Sequence, residues 1–170
     1  MGPYKPLNLK NIDAHPQQST RARILSATDV REWLSRTGQK TNREGTATVT
    51  FVVDLDGYLW IADRHSEHVA CAEGRDVLSA GELTFEVSNL NLVVLEATNQ
   101  SIGYCPEPQS WAAVSSALDR NNIGHPGCFT AEFIFRRCLR CNETNVVKDE
   151  WYRCAVCDEA LSKEWNCSTQ

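Results

Sequence analysis

The chain has 170 residues, of which 42% are hydrophobic and 23% charged, and its formal net charge is -5 at pH 7. The apolar share is large enough for a packed core and excludes wholesale disorder, while the length suits one domain with a small appendage. No apolar run approaches the ~18 to 20 residues of a membrane-spanning helix, and the first residues lack the apolar stretch of a secretion signal. The acidic balance disfavours general binding to phosphate backbones. We therefore expect a cytoplasmic protein that makes no membrane contact.

Residues 1–23 are rich in proline and polar side chains, and we interpret them as an irregular N-terminal arm. A helix is predicted after them, because Ser26 and Asp29 have the spacing of a capping box and Gly38 stands where a C-terminal cap belongs. Hydrophobic residues at helical spacing predict its buried face: Val30, Trp33 and Leu34.

Two β-hairpins are predicted next, from β-branched residues bounded by turn residues. Their strands cover residues 46–55, 58–62, 83–87 and 92–97. Asp56-Gly57 is a typical two-residue hairpin turn, and Ser88-Asn89 is the turn of the second hairpin. Pairing of the two hairpins would form one antiparallel sheet.

A second long helix is predicted over residues 108–121, with prolines only at its start, and a further strand over residues 129–135. This order of elements indicates an α+β fold, in which an antiparallel sheet has helices packed on one face.

Four of the eight cysteines form two Cys-x-x-Cys turns, or knuckles, with twelve residues between them. They are Cys138, Cys141, Cys154 and Cys157. Each knuckle directs two thiolates to one side of a tight turn, and two knuckles supply the four corners of a tetrahedral zinc site. The alternative is a redox dithiol, which usually has a single pair at the start of a helix. Because a zinc ion held by four thiolates has no open coordination position, we expect one structural Zn²⁺.

Residues 133–160 resemble the zinc ribbon family through these two knuckles and the strands that lead into them. The resemblance implies a zinc ribbon at the C-terminal end of the α+β fold. The predicted divisions are an N-terminal arm over residues 1–23, an α+β domain over residues 24–132, and a zinc ribbon with its C-terminal tail over residues 133–170.

The stretch directly after the first hairpin is dense in titratable side chains. It contains His65, Glu67, His68 and Cys71. A histidine titrates near neutral pH, a glutamate acts as a general base in many enzymes, and a cysteine serves as a nucleophile or a metal ligand. Three interpretations stay open: a catalytic loop, a second zinc site completed by Cys105, and a plain loop whose polar groups are solvated or bonded to the backbone.

Residues 58–106 also match the spacing of the pattern H-S-S-x-x-x-G-x-x-V-x-x-A-G-E followed by N-x-S-G-H-Y-x-P. The matching positions are His68, Gly74, Val77, Ala80, Gly81, Glu82, Asn99, Ser101, Tyr104 and Pro106. This region is similar to a module of bacterial toxin-related proteins and of plant IQ-motif calmodulin-binding proteins. Val69 and Ala70 replace the paired serines, and Ile102 and Gly103 replace the Gly-His pair, so the resemblance implies a shared fold rather than a shared reaction.

Pairing of the hairpins would bring the loops at residues 63–71 and 98–106 to one end of the sheet. We expect Glu82 to open a strand there, and we expect Tyr104 to have a buried ring and a hydrogen-bonded hydroxyl. The candidate catalytic residues of this pocket are His65, Glu67, His68, Cys71, Glu82, Ser101 and Tyr104.

Three arginines lie at the first knuckle, and guanidinium groups suit phosphates, so nucleic acid is one candidate partner. They are Arg136, Arg137 and Arg140. The alternative is a neutral surface, in which these arginines pair with nearby acidic residues: Asp149, Glu150 and Asp158. The nearby aromatic residues have two interpretations, a partner-binding patch or contacts that dock the ribbon on the main domain: Trp151, Tyr152 and Trp165. We expect docking, since a ribbon buries too little surface to pack alone.

Two functions fit these patterns. The first is a zinc-stabilised interaction or accessory protein that binds a macromolecule, in the first place another protein, and that is linked to a bacterial toxin or conflict system. The second is a hydrolytic or group-transfer enzyme that uses the His/Glu/Cys loop at residues 65–71. The closed metal site and the missing nucleophile-and-base signature favour binding, whereas the dense titratable cluster favours catalysis.

Overall fold

The computed structural model describes residues 2–7, 20–39, 41–88 and 91–167, which form seven strands and three α-helices. The strands are β1 (Ala22–Ile24), β2 (Thr46–Val53), β3 (Leu59–Asp63), β4 (Ser79–Val87), β5 (Leu92–Thr98), β6 (Ile134–Arg137) and β7 (Thr144–Val147). The helices are α1 (Ala27–Thr37), α2 (His68–Cys71) and α3 (Trp111–Arg120). A 3-10 turn, Pro108–Ser110, leads into α3.

The first five strands form one antiparallel sheet in the order β1-β3-β2-β4-β5. β2 is central, and it pairs with β4 over its full length, from Thr46 opposite Glu86 to Val53 opposite Ser79. The two predicted hairpins therefore do pair with each other. The predicted α+β fold with an antiparallel sheet is confirmed.

Both faces of this sheet are covered, which is why most of β2 is buried rather than alternately buried and exposed. α1 and α3 pack on one face, where Trp33 and Leu118 share a buried core with Phe51 of β2. The neighbouring Val52 points to the opposite face, where it belongs to a second buried cluster with Val69 of α2. The two predicted helices therefore share one face, as expected, and the short α2, which was not predicted, lies on the other because the turn after β3 carries it there.

The caps of α1 follow directly from its sequence. The Asp29 amide donates to the Ser26 hydroxyl at 3.3 Å, and the Leu25 amide donates to the Asp29 carboxylate at 2.8 Å. Gly38 ends the helix in the left-handed conformation, with a φ of 67°, which a residue without a side chain adopts at little cost. Both predicted ends of this helix are confirmed.

Several predicted boundaries differ from the structure; β2, for example, ends at Val53 and not at residue 55. β4 begins at Ser79, so Glu82 lies inside the strand and does not open it. β1 begins at Ala22, within the stretch interpreted as an arm, and it pairs with β3 at the edge of the sheet. Asn89 of the predicted second turn lies outside the described residues.

The strand predicted over residues 129–135 forms only from Ile134 onward, as β6. The residues before it run beside β5 through isolated parallel bridges. The Thr130 hydroxyl takes part in this pairing, because it accepts from the Ala97 amide and donates to the Ala97 carbonyl, both at 3.0 Å. A side chain that takes over backbone ladder bonds prevents a regular strand.

β6 and β7 form the two-stranded ribbon, which polar and aromatic contacts fix to the α+β domain. Arg136 of β6 is buried, and its Nη1 lies 2.6 Å from Oε1 of Glu107, which is buried too. The Trp165 indole donates to the Cys105 carbonyl at 2.8 Å, and its ring lies edge-on to Tyr4 with the centroids 5.6 Å apart. Trp165 therefore docks the C-terminal region, as predicted, whereas Trp151 is 67% exposed and Tyr152 packs within the ribbon cluster.

Candidate metal centre and candidate active-site loop

The two knuckles have the same backbone geometry. In the first, the Asn142 amide donates to the Cys138 carbonyl at 2.9 Å, and the Cys138 amide donates to the Glu143 carbonyl at 2.9 Å. Asn142 has a φ of 60°, and Asn and Asp enter this left-handed region more readily than other side chains do. The second knuckle repeats the two bonds and the positive φ at Cys154, Asp158 and Glu159.

The four knuckle sulfur atoms lie within 4.8 Å of one another. Sγ of Cys138 and of Cys157 are 3.5 Å apart, as are Sγ of Cys141 and of Cys154. A disulfide bond would bring two sulfurs to about 2.05 Å. Tetrahedral coordination with metal–sulfur bonds of about 2.3 Å separates the sulfurs by about 3.8 Å. The arrangement therefore fits four free thiol groups that are able to hold a metal ion.

Hydrogen bonds to sulfur add to this fit. The Val156 amide lies 3.4 Å from Sγ of Cys154, and the side-chain amide of Asn145 lies 3.6 Å from the same atom. The backbone N–H of Cys157, above all, lowers the pKa of Cys154 to about 6. Donors that favour the thiolate prepare this sulfur for a cation.

Asn145 is a residue of this centre that the motif did not reveal. It is buried on β7, where its Oδ1 accepts from the Ala155 amide at 2.9 Å and its Nδ2 donates to the Glu143 carbonyl at 3.0 Å. It therefore ties the strand between the knuckles to the second knuckle. The signal in the sequence is a polar residue at an inward-facing strand position, next to the outward-facing Val146.

His68 is the first residue of α2, and its imidazole is hydrogen-bonded to the backbone. Its Nε2 lies 3.0 Å from the carbonyl oxygen of Gly81 on β4. Burial lowers the pKa of His68, although that hydrogen bond and the charges of Glu82 and Glu67 act in the opposite direction. A neutral imidazole that donates Nε2–H to this carbonyl satisfies the geometry.

Cys71 and Tyr104 lie in one buried cluster behind His68. Burial raises the pKa of the Cys71 thiol to about 12, so this sulfur stays protonated at neutral pH and is a poor nucleophile. Burial also raises the pKa of Tyr104, whose hydroxyl donates to the Arg75 carbonyl at 2.6 Å. The expected burial and hydrogen bond of Tyr104 are thus present.

The remaining candidates differ in their exposure to solvent. His65 and Glu67 are exposed, Glu82 is half-buried on β4, and Ser101 is fully buried. Among the described residues, no hydrogen-bond partner is recorded for the Ser101 hydroxyl. The structure brings His68 near Glu67 and Glu82, and Cys71 near Tyr104. A catalytic role for the seven residues stays a prediction.

Several positions of the toxin-related pattern have clear structural roles. A Cβ atom on Gly81 would lie 1.9 Å from the Thr98 carbonyl oxygen, so the approach of β5 requires glycine there. The buried Asn99 side chain donates to the carbonyls of Pro106 and Phe133 and accepts from the Phe133 amide, each at 2.7 Å. Asn99 thus fixes the chain that enters the ribbon.

A cleft of about 460 Å³ lies beside the candidate loop, and none of the seven candidate residues lines it. One wall comes from the turn between β2 and β3, with Asp54 and Asp56, and from Trp60 of β3. The other comes from the residues after α2, with Ala72 and Asp76. The sequence motifs did not predict this cleft, because the walls of the cleft are distant in the sequence and come together only in the folded protein.

Comparisons with protein-family models, with curated proteins and with solved structures give no match to this chain. Among the described residues, none of the helices combines the length and the apolar character that crossing a bilayer requires. The protein is an α+β domain with a C-terminal cluster of four cysteines, an arrangement consistent with a zinc ribbon.

Proposed function

We propose that this protein is a zinc-stabilised binding protein, in which one Zn²⁺ ion is bound by the four knuckle cysteines and has a structural role. The observation that carries the proposal is the closed set of four mutually close sulfur atoms. Four thiolates complete the tetrahedral preference of zinc and leave no position for a water molecule or a substrate. The ion would therefore hold the ribbon in shape, and the ribbon would present a surface.

The burial and hydrogen bonding of the candidate catalytic groups favour binding over catalysis. The imidazole of His68 is bonded to a backbone carbonyl, and the Cys71 thiol is buried with a raised pKa. An activated nucleophile needs a depressed pKa or an adjacent base, and access to substrate. These groups fit a structural role better than a chemical one.

The ribbon surface supports a protein partner more than a nucleic acid. Leu139 and Val156, at the tips of the two knuckles, are 79% and 68% exposed. Arg136 is buried against Glu107, and Arg140 lies 3.7 Å from Glu159. Two exposed apolar side chains on neighbouring knuckles suit a surface that another protein covers. Of the three arginines, Arg137 alone lacks an ion pair among the described residues, which leaves little net positive charge for phosphates.

The cellular setting is part of the same proposal. Four thiols that bind zinc must stay reduced, which the cytoplasm ensures and oxidising compartments do not. The proposed link to a bacterial toxin or conflict system is supported by the resemblance of residues 58–106 to the toxin-related module.

Metal stoichiometry tests the zinc. The purified protein is expected to carry one zinc per chain by elemental analysis. Cys138→Ser should lose it, and His68→Ala, a matched change at the other candidate ligand cluster, should retain it. A protein without zinc, or a second zinc that depends on His68, would contradict the proposal.

Site-specific photo-crosslinking in cells tests the binding surface. A photoreactive residue in place of Leu139 should give a protein adduct, and the same residue in place of Leu95, which is exposed on β5, should give none. A nuclease-sensitive adduct at position 139 would replace the protein partner by a nucleic acid. Equal labelling at both positions, or none at position 139, would contradict a binding role for the knuckles.

A further inference from the structure

The cleft beside α2 has the size and the lining of a small-ligand site. Its volume of about 460 Å³ lies within the range of about 300 to 1,000 Å³ that ligand pockets occupy. Val52, Ala72 and Val77 form an apolar floor and are buried in one cluster, against which Trp60 packs. Leu55, which is 53% exposed, stands at the rim.

The aromatic wall of the cleft is held in a fixed orientation. The Trp60 indole N–H donates to Oδ2 of Asp54 at 2.7 Å, and the Arg21 guanidinium lies over the ring at 4.2 Å from its centroid. The other oxygen of Asp54 accepts from the backbone amides of Asp56 and Tyr58. Asp54 is therefore fully used in shaping the turn and orienting the indole.

The two guanidinium groups of the cleft share one carboxylate partner. Arg21 and Arg75 lie 2.6 Å and 2.7 Å from the two carboxylate oxygens of Glu73. Arg21 also donates to the Cys71 carbonyl at 2.9 Å, and Arg75 to the Ala72 carbonyl at 3.3 Å. Glu73 balances one of the two positive charges, and both arginines are held by the protein's own acceptors.

Two carboxylates that line the cleft have no bonded partner among the described residues. Within the described residues, the side chains of Asp56 and Asp76 make no hydrogen bond and no ion pair, although both line the cleft. They come from different walls, the β2–β3 turn and the segment after α2. Lining carboxylates outnumber lining guanidiniums, so the unsatisfied charge of the cleft is negative.

We propose that this cleft binds an organic cation, an ammonium or guanidinium group on a short apolar stem, with the charged end between Asp56 and Asp76 and the stem on the floor beside Trp60. Such a group suits the lining, which offers an apolar floor beside Trp60 and two carboxylates without a bonded partner among the described residues. The same chemistry occurs in a free amine and in the lysine or arginine side chain of a peptide. The cleft contains no ribbon residue, so this binding does not depend on the proposed role of zinc.

The test titrates the full-length protein with n-butylammonium and follows it by calorimetry and by NMR of the Trp60 indole N–H and the Val77 amide. Both signals should shift, and n-butanol, which has the same stem without the charge, should bind about tenfold or more weakly. Pentanoate should not bind. Equal affinity for the alcohol, tighter binding of pentanoate, or unshifted signals at Trp60 and Val77 would overturn the proposal.

Variants sharpen this result with a matched control. The double change Asp56→Asn and Asp76→Asn keeps the shape of both side chains and should weaken n-butylammonium binding by about tenfold or more. Asp149→Asn, the same chemical change on the ribbon, should leave it unaltered. If the double variant binds as the control does, the cation site is wrong. Nα-acetyl-lysine methylamide distinguishes the sources: comparable binding indicates a peptide side chain, and binding of the free amine alone indicates a small metabolite.

Discussion

The α+β domain and the ribbon are held together by different means. The domain has a continuous apolar core that runs from both long helices to the sheet, with Trp33, Phe51 and Leu118 almost fully buried. At the knuckles the buried apolar residues are chiefly Val147 and Leu161, whereas Phe135 of β6 is buried against Cys105 and Cys167. Because a segment this short buries little apolar surface by itself, we expect a metal ion on the four sulfurs to supply what packing does not. We therefore expect stability to depend on the metal in the ribbon and on packing in the domain.

Metal removal should separate the two regions most strongly. Structural zinc contributes about 10 to 16 kcal/mol in small zinc-binding peptides, which far exceeds what the ribbon core offers. We expect a strong chelator to broaden or collapse the amide NMR signals of residues 138–161, while signals of the sheet and of α3 persist. Loss of both sets together would show that the ribbon is an integral part of the domain core and would break the comparison.

The buried ion pair between the regions should give the next largest effect. Glu107→Gln leaves the buried Arg136 guanidinium without a counter-charge, and removal of one partner from such a pair costs about 3 to 5 kcal/mol. Urea unfolding monitored by tryptophan fluorescence measures this loss.

The control for that change is Glu159→Gln, which removes the acidic partner of the exposed Arg140. A surface pair contributes about 0 to 1 kcal/mol, so the control should remain close to the parent protein. Similar losses in both variants would show that Arg136 reaches solvent and that the ribbon is loosely docked.

Asn145 tests how far the sulfur cluster depends on its neighbours. Asn145→Ala removes the side-chain donor to Sγ of Cys154 and the acceptor of the Ala155 amide, and we expect zinc affinity to fall about 10-fold to 100-fold. Competition with a chromophoric chelator measures the change. Val146→Ala, one residue along and facing outward, should bind zinc as the parent does. An unchanged zinc affinity in Asn145→Ala would show that the four cysteines alone determine metal binding and that Asn145 does not contribute.

Features set by nearby residues could be predicted from the sequence. The caps at Ser26 and Gly38, the β2–β3 hairpin and the two knuckles all depend on spacings of a few residues, and the structure contains them. The four-cysteine cluster could be predicted for the same reason, because each knuckle is formed within one short turn.

Features that join distant segments could not be predicted in this way. The sequence makes Arg136 a candidate phosphate ligand, but nothing near it in the sequence indicates its contact with Glu107, which lies 29 residues earlier in the chain. The cleft combines Asp56 with Asp76 from opposite walls, and no local spacing encodes that meeting. The candidate loop shows the converse: titratable residues close together in sequence are divided between solvent and core, because Cys71 turns inward while His65 stays exposed.

The smallest expected effect concerns His68, which belongs to the packing-dependent region. Burial lowers its pKa in the folded state below the value of about 6.5 for a free side chain, so the unfolded chain takes up a proton that the folded protein resists. The free energy of unfolding should therefore fall as the pH drops through about 6.5, and His68→Gln should remove that part of the dependence while still donating to the Gly81 carbonyl. Urea unfolding at pH 7.5 and pH 5.5 measures the difference between the two proteins, with His65→Gln as the exposed control. If His68→Gln and the parent lose stability equally on acidification, folding does not shift the pKa of His68; if the parent loses less than the variant, the carboxylates of Glu67 and Glu82 hold the histidine charged instead.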